Sequence, residues 1–139
     1  MRFSSLMGLI KESPSAILTT LHLLVCDTEL SDLMTLVECG KLSKLTDFGI
    51  SQSEMSDDSV QRMAADCPVL ERVQLDTPRI TGVAVKELCT RTAIKTLILT
   101  DCLNVSADAI EWARARGVTV VIDRSGEQRR LAGRSVRYG

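Results

Sequence analysis

A chain of 139 residues, 45% hydrophobic and 25% charged, has the composition of one folded domain rather than of a disordered protein. Only 3% of its residues are aromatic, so its core must be aliphatic. The formal net charge of −1 gives no general attraction to nucleic acid or to a membrane. The longest apolar stretch, residues 17–26, contains polar residues and is shorter than the roughly 20 residues of a membrane span. We therefore expect no membrane partner.

The first segment, residues 1–14, places Phe3, Leu6 and Ile10 on one helical face, which predicts a short amphipathic helix. No polar capping segment precedes this helix, so we expect a partial repeat or a cap. Its apolar side would then contact missing repeats at this N-terminal edge or drive self-association.

A repeat unit of strand, polar turn and helix recurs through the second segment, residues 15–123. Alternating aliphatic residues predict each strand, and a helical spacing of aliphatic residues follows. A final strand is predicted over residues 118–122, with Val120 and Ile122 facing inward. The earlier copies begin 24, 28 and 24 residues apart, at Leu18, Leu42, Leu70 and Ile94. Four to five copies at such a period indicate a solenoid.

Helix ends are also marked in the sequence. Gly40 and Gly117 stand where helices should stop, because glycine allows the left-handed closing residue. Hydroxyl side chains, which can accept from the first unpaired amides of a helix, precede the predicted helices at Ser31, Ser56, Thr81 and Ser106.

The pattern L-x-x-L-x-L-x-x-C, complete at 18–26 and 94–102, resembles the cysteine-containing leucine-rich repeat of many F-box proteins. This resemblance implies an α/β fold: a right-handed leucine-rich-repeat solenoid with a short parallel sheet on its concave face and helices on its convex face. Ile50 and Pro78 replace the turn cysteine, and Asp47 takes a strand position where leucine is expected. We therefore expect the second and third repeats to be distorted there.

The resemblance implies a non-catalytic protein-protein interaction module, similar to the substrate-recognition part of a ubiquitin ligase. No segment has the length or pattern of an F-box, so the ligase link follows from the repeat type alone. The repeat type and the reduced cysteines described below indicate a cytoplasmic or nuclear protein.

Strand residues that point away from the core should form a concave surface of mixed polar and apolar side chains. An ordinary solvated sheet face would look similar, but open curved sheets of solenoids commonly bind partners. Leu24, Phe48 and Ile98 are the most informative, since aligned exposed apolar residues need an explanation. The predicted binding residues for a protein partner are Thr20, His22, Leu24, Lys44, Thr46, Phe48, Arg72, Gln74, Asp76, Thr96, Ile98 and Thr100.

The five cysteines are odd in number and include no Cys-x-x-Cys pair, which favours reduced thiols. Cys26 and Cys102 occupy a repeating turn site, where a small side chain packs against the next coil. The alternative is a small cysteine-dependent enzyme that uses one of them. His22 is the only histidine and no short ligand spacing occurs, so we predict no metal and no cofactor.

The third segment, residues 124–139, carries five arginines and one glutamate, a net charge of +4. We expect a disordered, solvated tail. A nucleic-acid-binding adaptor that works through this tail is the second alternative, although no aromatic ladder accompanies the arginines. Trp112 lies between Ile110 and Ala113 and is expected to pack on the helical side.

Overall fold

The computed structural model describes residues 18–23, 34–35, 37–50 and 55–123. The N-terminal segment and the Arg-rich tail, with Leu24 and Cys26, lie outside the described residues. In chain order, the helices and strands are β1 (Thr20–Leu23), β2 (Asp47–Ile50), α1 (Asp57–Asp66), β3 (Arg72–Leu75), α2 (Gly82–Arg91), β4 (Thr96–Thr100), α3 (Ala107–Ala115) and β5 (Thr119–Asp123).

The five strands form one parallel sheet in the order β1-β2-β3-β4-β5. Each strand therefore pairs with the strand that follows it in the chain, as a repeated strand-and-helix unit requires. Helices α1, α2 and α3 lie side by side, each against its neighbour in sequence. The predicted α/β class with a short parallel sheet is confirmed.

The core lies between the helices and one face of the sheet. Each helix contributes an aliphatic stripe, exemplified by Val60, Val85 and Ala113, and buried Leu70 and Ile94 precede β3 and β4. Burying a large aliphatic side chain contributes roughly 1.5–3 kcal/mol, so stacked rows of them stabilise the sheet. The central row of paired residues, each less than a tenth exposed, consists of Leu21, Phe48, Val73, Leu97 and Val120.

The second repeat begins three residues later than predicted. Phe48 pairs with Leu21 and Val73 and is only 1% exposed, so the prediction that it faces outward is wrong. The strand phrase of this repeat is therefore Leu45-x-x-Phe48-x-Ile50 rather than one that starts at Leu42. Repeats that begin at residues 18, 45, 70 and 94 are spaced by 27, 25 and 24 residues.

The same shift removes two expected departures from the repeat. Asp47 pairs with Thr20 and Arg72, so it lies on the opposite parity from the core and does not replace a buried leucine. Ile50 pairs with Leu75 and is 3% exposed, so it is a core residue and not a substitute for the turn cysteine. The second strand has the same core positions as its neighbours.

Side chains at helix starts follow the predicted pattern in two of three described cases. Thr81 and Ser106 accept hydrogen bonds from the amides of Val83 and Ala109, at 3.2 Å each. Ser56 precedes α1 but makes no such bond. The predicted helix-closing glycines have left-handed φ angles, +73° at Gly40 and +90° at Gly117.

Polar contacts tie neighbouring repeats together. Asp57 at the start of α1 accepts from the amide and the hydroxyl of Thr81, at 2.8 and 2.7 Å. The buried Thr77 hydroxyl donates to the carbonyl oxygen of Met55 at 2.8 Å. Each bond joins residues more than 20 positions apart, so it fixes the stacking of one repeat on the next.

Among the described residues, none of the helices has the length and apolar character that a bilayer crossing would require.

Candidate functional site

The side of the sheet that faces away from the helices is the candidate site, and we call it the open face. The pairing of the strands, and not the spacing in the sequence, determines which residues belong to the open face. They are the strand residues that alternate with the buried residues of the central row. These are Thr20, His22, Asp47, Gly49, Arg72, Gln74, Thr96, Ile98, Thr100, Thr119, Val121 and Asp123.

The structure brings together seven of the twelve predicted residues as strand positions of the open face: Thr20, His22, Arg72, Gln74, Thr96, Ile98 and Thr100. Asp76 follows the end of β3 directly. Lys44 is exposed in the turn before β2, and half-buried Thr46 donates to the Thr19 carbonyl at 3.1 Å. Phe48 lies in the core, and Leu24 lies outside the described residues. The predicted outward parity therefore agrees with the strand pairing on β1, β3 and β4 and disagrees with it on β2.

A polar network crosses the first three strands near their amino ends. Nε2 of His22 lies 2.8 Å from Oδ1 of Asp47, and the same oxygen is 3.7 Å from the Arg72 guanidinium. These side chains are 30–45% exposed, so solvent screens the network and it contributes little to stability. It does fix the direction of three polar groups on the surface.

Gly49 provides the space that the His22 ring occupies. A Cβ atom at Gly49 would lie 2.5 Å from Nδ1 and 2.9 Å from Cε1 of that ring. The imidazole therefore occupies the space beside Gly49 on β2, in the row where every other described strand has a side chain. Absence of a side chain at Gly49 is what brings His22 against Asp47.

An apolar patch lies at the other side of the open face. Ile98 is half-buried and pairs across the strands with Val121, which is 44% exposed. The predicted apolar line of Leu24, Phe48 and Ile98 is thus replaced, within the described residues, by the Ile98–Val121 pair. Apolar side chains next to polar ones are typical of protein-binding surfaces.

Acidic residues gather at the carboxyl ends of β3, β4 and β5. Asp123 pairs with Thr100, and Asp76 lies on the other side of the same position because Leu75 pairs with Leu99. Asp101 follows Thr100 with a φ of +53°, and its amide donates to the Asp123 carbonyl at 2.8 Å. A non-glycine residue in this region is strained, which marks the end of β4 as locally constrained.

Three of the four described cysteines have thiols whose pKa is raised by burial, and the fourth, Cys39, is exposed. Burial raises the pKa of the Cys67 thiol to about 12, with the nearby Asp66 carboxylate adding to the increase. Burial also raises the pKa values of the Cys89 and Cys102 thiols. Cys102 donates to the Leu75 carbonyl at 3.3 Å, a contact between repeats that matches its predicted packing role. Protonated thiols are poor nucleophiles, so these values count against Cys102 as a catalytic residue, whereas Cys26, the other candidate, lies outside the described residues.

Trp112 lies on the helical side, as predicted, and packs against the edge of the core. The Arg116 guanidinium lies 4.8 Å from the ring centroid, and the Lys86 ammonium lies 5.8 Å from it. These cation-π contacts account for a half-exposed tryptophan without a ligand. In the described part of the chain, histidine, cysteine and acidic side chains do not gather in a group of three that could hold a metal ion.

Comparison of the chain with models of known protein families gave no match, and no curated protein proved similar to it in sequence. The resemblance to leucine-rich repeats therefore rests on the motif residues themselves.

Sequence reasoning missed five residues of the open face: Asp47, Gly49, Thr119, Val121 and Asp123. The sequence did contain a signal for Asp47 and Gly49. The phrase that begins at Leu45 has apolar residues at all three core positions, whereas the phrase that begins at Leu42 has Asp47 at one of them.

Proposed function

We propose that the chain is a short right-handed leucine-rich-repeat solenoid whose open face, concave in that architecture, binds another protein without catalysis. The order of the parallel strands and the spacing of 23 to 27 residues between equivalent strand positions support the repeat assignment. Right-handedness follows from the strong preference for right-handed crossovers between parallel strands.

The observation that carries the proposal is a parallel sheet with one face that the described helices leave uncovered. All-parallel sheets normally have helices on both faces. Here the helices lie on one side, while Arg72, Thr119 and Val121 on the other side are exposed. A protein partner that covers Ile98 and Val121 would bury apolar surface and pair the surrounding polar groups, as a recognition surface does.

The proposed role needs no metal and no cofactor, and the raised thiol pKa values favour packing over catalysis at Cys67, Cys89 and Cys102. By its repeat type the protein is proposed to act in the cytoplasm or nucleus, as the substrate-recognition part of a ubiquitin ligase. The nucleic-acid alternative depends on the tail, which lies outside the described residues, so no observation favours it.

Charge substitutions on the open face test the proposal. Proteins captured from a cell extract are first identified, and one is then purified and titrated against the wild type, Ile98→Asp and Arg72→Glu. We expect each variant to weaken binding by about tenfold or more, as substitutions at the centre of an interface commonly do.

Val83→Asp is the matched control, because Val83 is 53% exposed on helix α2 and lies on the opposite side of the protein. Circular dichroism verifies that all three variants are folded. Equal affinity of Ile98→Asp, Arg72→Glu and the wild type for the purified partner contradicts binding through the open face.

A further inference from the structure

Strand β5 forms one edge of the sheet and, within the described part of the chain, pairs only with β4. The amide of Thr119 donates to the carbonyl of Lys95 at 2.9 Å, so the odd-numbered residues of β5 direct their backbone groups to β4. Successive residues of a strand alternate in this respect, so Val120 and Ile122 direct their amides and carbonyls to the outside. Such a row of backbone donors and acceptors can pair with a further strand.

Arg114 occupies one of these outward groups, because its Nη2 donates to the Val120 carbonyl at 2.9 Å. A carbonyl oxygen has two lone pairs, so this one can still accept a second hydrogen bond. Edge strands are commonly protected from pairing by lysine, proline or a bulge. The segment Thr119–Asp123 contains neither lysine nor proline, and its pairing with β4 is continuous. Strand β5 is therefore open to pairing at its outer side.

Apolar side chains are exposed on both faces of this edge. Ile122 lies in the same row as Ile50, Leu75 and Leu99, which are at most 3% exposed, yet Ile122 is 37% exposed. On the open face Val121 is 44% exposed. A strand that pairs with β5 should therefore carry apolar side chains on both of its faces.

A second copy of β5 has these properties. Antiparallel pairing centred on Val121 places Val120 of one copy opposite Ile122 of the other, so their outward amides and carbonyls exchange hydrogen bonds. The segment that follows β5, residues 124–139, matches the edge less well. It has five arginines, and Leu131 and Val136 are its only large aliphatic residues.

The charges of β5 are compatible with this antiparallel register. Asp123 of one copy lies opposite Thr119 of the other, so the two Asp123 carboxylates are separated along the strands by about 14 Å. That separation exceeds the Debye length of about 8 Å at physiological ionic strength. On the open face, the pair formed by Ile98 and Val121 continues into the same pair of the second copy. The apolar row is thereby doubled in length.

We propose that two copies of the protein associate through the outer edges of their β5 strands, in antiparallel register about Val121. The interface is isologous, since the same residues of each copy contact one another about a two-fold axis. One sheet then runs through both copies, with the two open faces on the same side. This inference goes beyond the proposed function and does not depend on it.

Sedimentation equilibrium of the purified, full-length protein tests the proposal. Pairing of two strand edges gives a small interface, so we expect association in the micromolar range. Between about 10 μM and about 1 mM, the average mass should rise from 15.2 kDa towards twice that value and no further.

Two variants test the edge itself. Val121→Lys places two ammonium groups side by side at the two-fold axis and should raise the dissociation constant of the dimer by about tenfold or more. Ile122→Pro removes an amide that points away from β4, so it removes a donor from the edge and no hydrogen bond to β4. It should also weaken the dimer. Val83→Lys is the matched control, because Val83 is 53% exposed on helix α2 and should leave the dissociation constant unchanged.

Circular dichroism verifies that each variant is folded, and Val121→Lys carries the test if Ile122→Pro is not. A wild type that remains monomeric up to about 1 mM overturns the proposed dimer. An association that survives Val121→Lys, or that Val83→Lys weakens equally, also overturns it. These measurements contain no other protein, so they are distinct from a failure of the proposed function. A monomer that binds the purified partner through Ile98 and Arg72 rejects the dimer and leaves the open face as a binding surface.

Discussion

Replacing Phe48 by alanine tests the register of the second repeat most directly. Phe48 is 1% exposed and lies in the central row between Leu21 and Val73. Removing a buried phenylalanine ring typically costs about 3–5 kcal/mol, since transfer free energy is lost and a cavity is left. That loss is large compared with a total folding free energy of about 5–15 kcal/mol. A phenylalanine on a solvated face would instead change stability by only about 0.5 kcal/mol.

Urea denaturation followed by circular dichroism measures this difference. With a dependence of about 2 kcal/mol per molar urea, the expected loss lowers the transition midpoint by about 1.5–2.5 M. Phe48→Leu, a milder change, should lower stability by only about 1–2 kcal/mol and provides a measurable value if the alanine variant does not fold. Arg72→Ala is the control, because Arg72 lies on the neighbouring strand but is exposed on the open face.

A midpoint for Phe48→Ala within the range of the Arg72→Ala control would refute the register. It would mean that Phe48 is not in the core, and the repeat would then begin at Leu42. The assignment of Asp47 and Gly49 to the open face would fail with it, because all three residues are fixed by the same strand pairing.

Three further predictions concern single contacts. The Cys67 pKa is raised to about 12 from 9.0, so unfolding releases the thiol proton above pH 9: stability should fall by about 1.4 kcal/mol between pH 8 and pH 10. Cys67→Ala should lose that part of the pH dependence in chemical denaturation. Gly49→Ala should lower the free energy of unfolding by about 1 kcal/mol, because the added methyl group displaces the His22 ring. In a His22→Ala background the same substitution should leave the free energy of unfolding unchanged, as a double-mutant cycle would show. Asp57→Ala should cost about 1–3 kcal/mol in thermal unfolding, because it leaves two Thr81 donors unpaired; an unchanged melting temperature would argue against this tie between repeats.

The repeated strand and helix could be predicted from the sequence because each copy obeys the same physical rule. Alternating aliphatic residues such as Leu97 and Leu99 give a strand with one buried face, and a hydroxyl residue such as Ser106 caps the helix that follows. These signals are local, and stacking repeats them along the chain. The α/β class and the order of the strands were accessible for that reason.

The register of β2 could not be decided from the same signals, because two overlapping apolar patterns, one beginning at Leu42 and the other at Leu45, both fit the sequence. Leu42 and Leu45 are both fully buried, so both satisfy a search for apolar pairs three residues apart. Only Leu45 belongs to the strand phrase; Leu42 lies in the turn that precedes it and packs into the core from there. Because neighbouring strand residues face opposite ways, an odd shift in register exchanges core and surface for the whole strand.

The alternation of apolar and polar residues within a strand assigns each residue to one face of the sheet. It does not show how much space the residues of the neighbouring strands leave for its side chain. The His22 ring occupies space that is open because Gly49, on the next strand, has no side chain, although the two residues are 27 positions apart. Thr100 shares the parity of exposed residues and yet is only 8% exposed, at a position where the ends of β3, β4 and β5 lie side by side. Both features arise across strands, where no pattern within one strand reports them. The features that the structure adds to the open face were thus those that a reading of each repeat by itself could not predict.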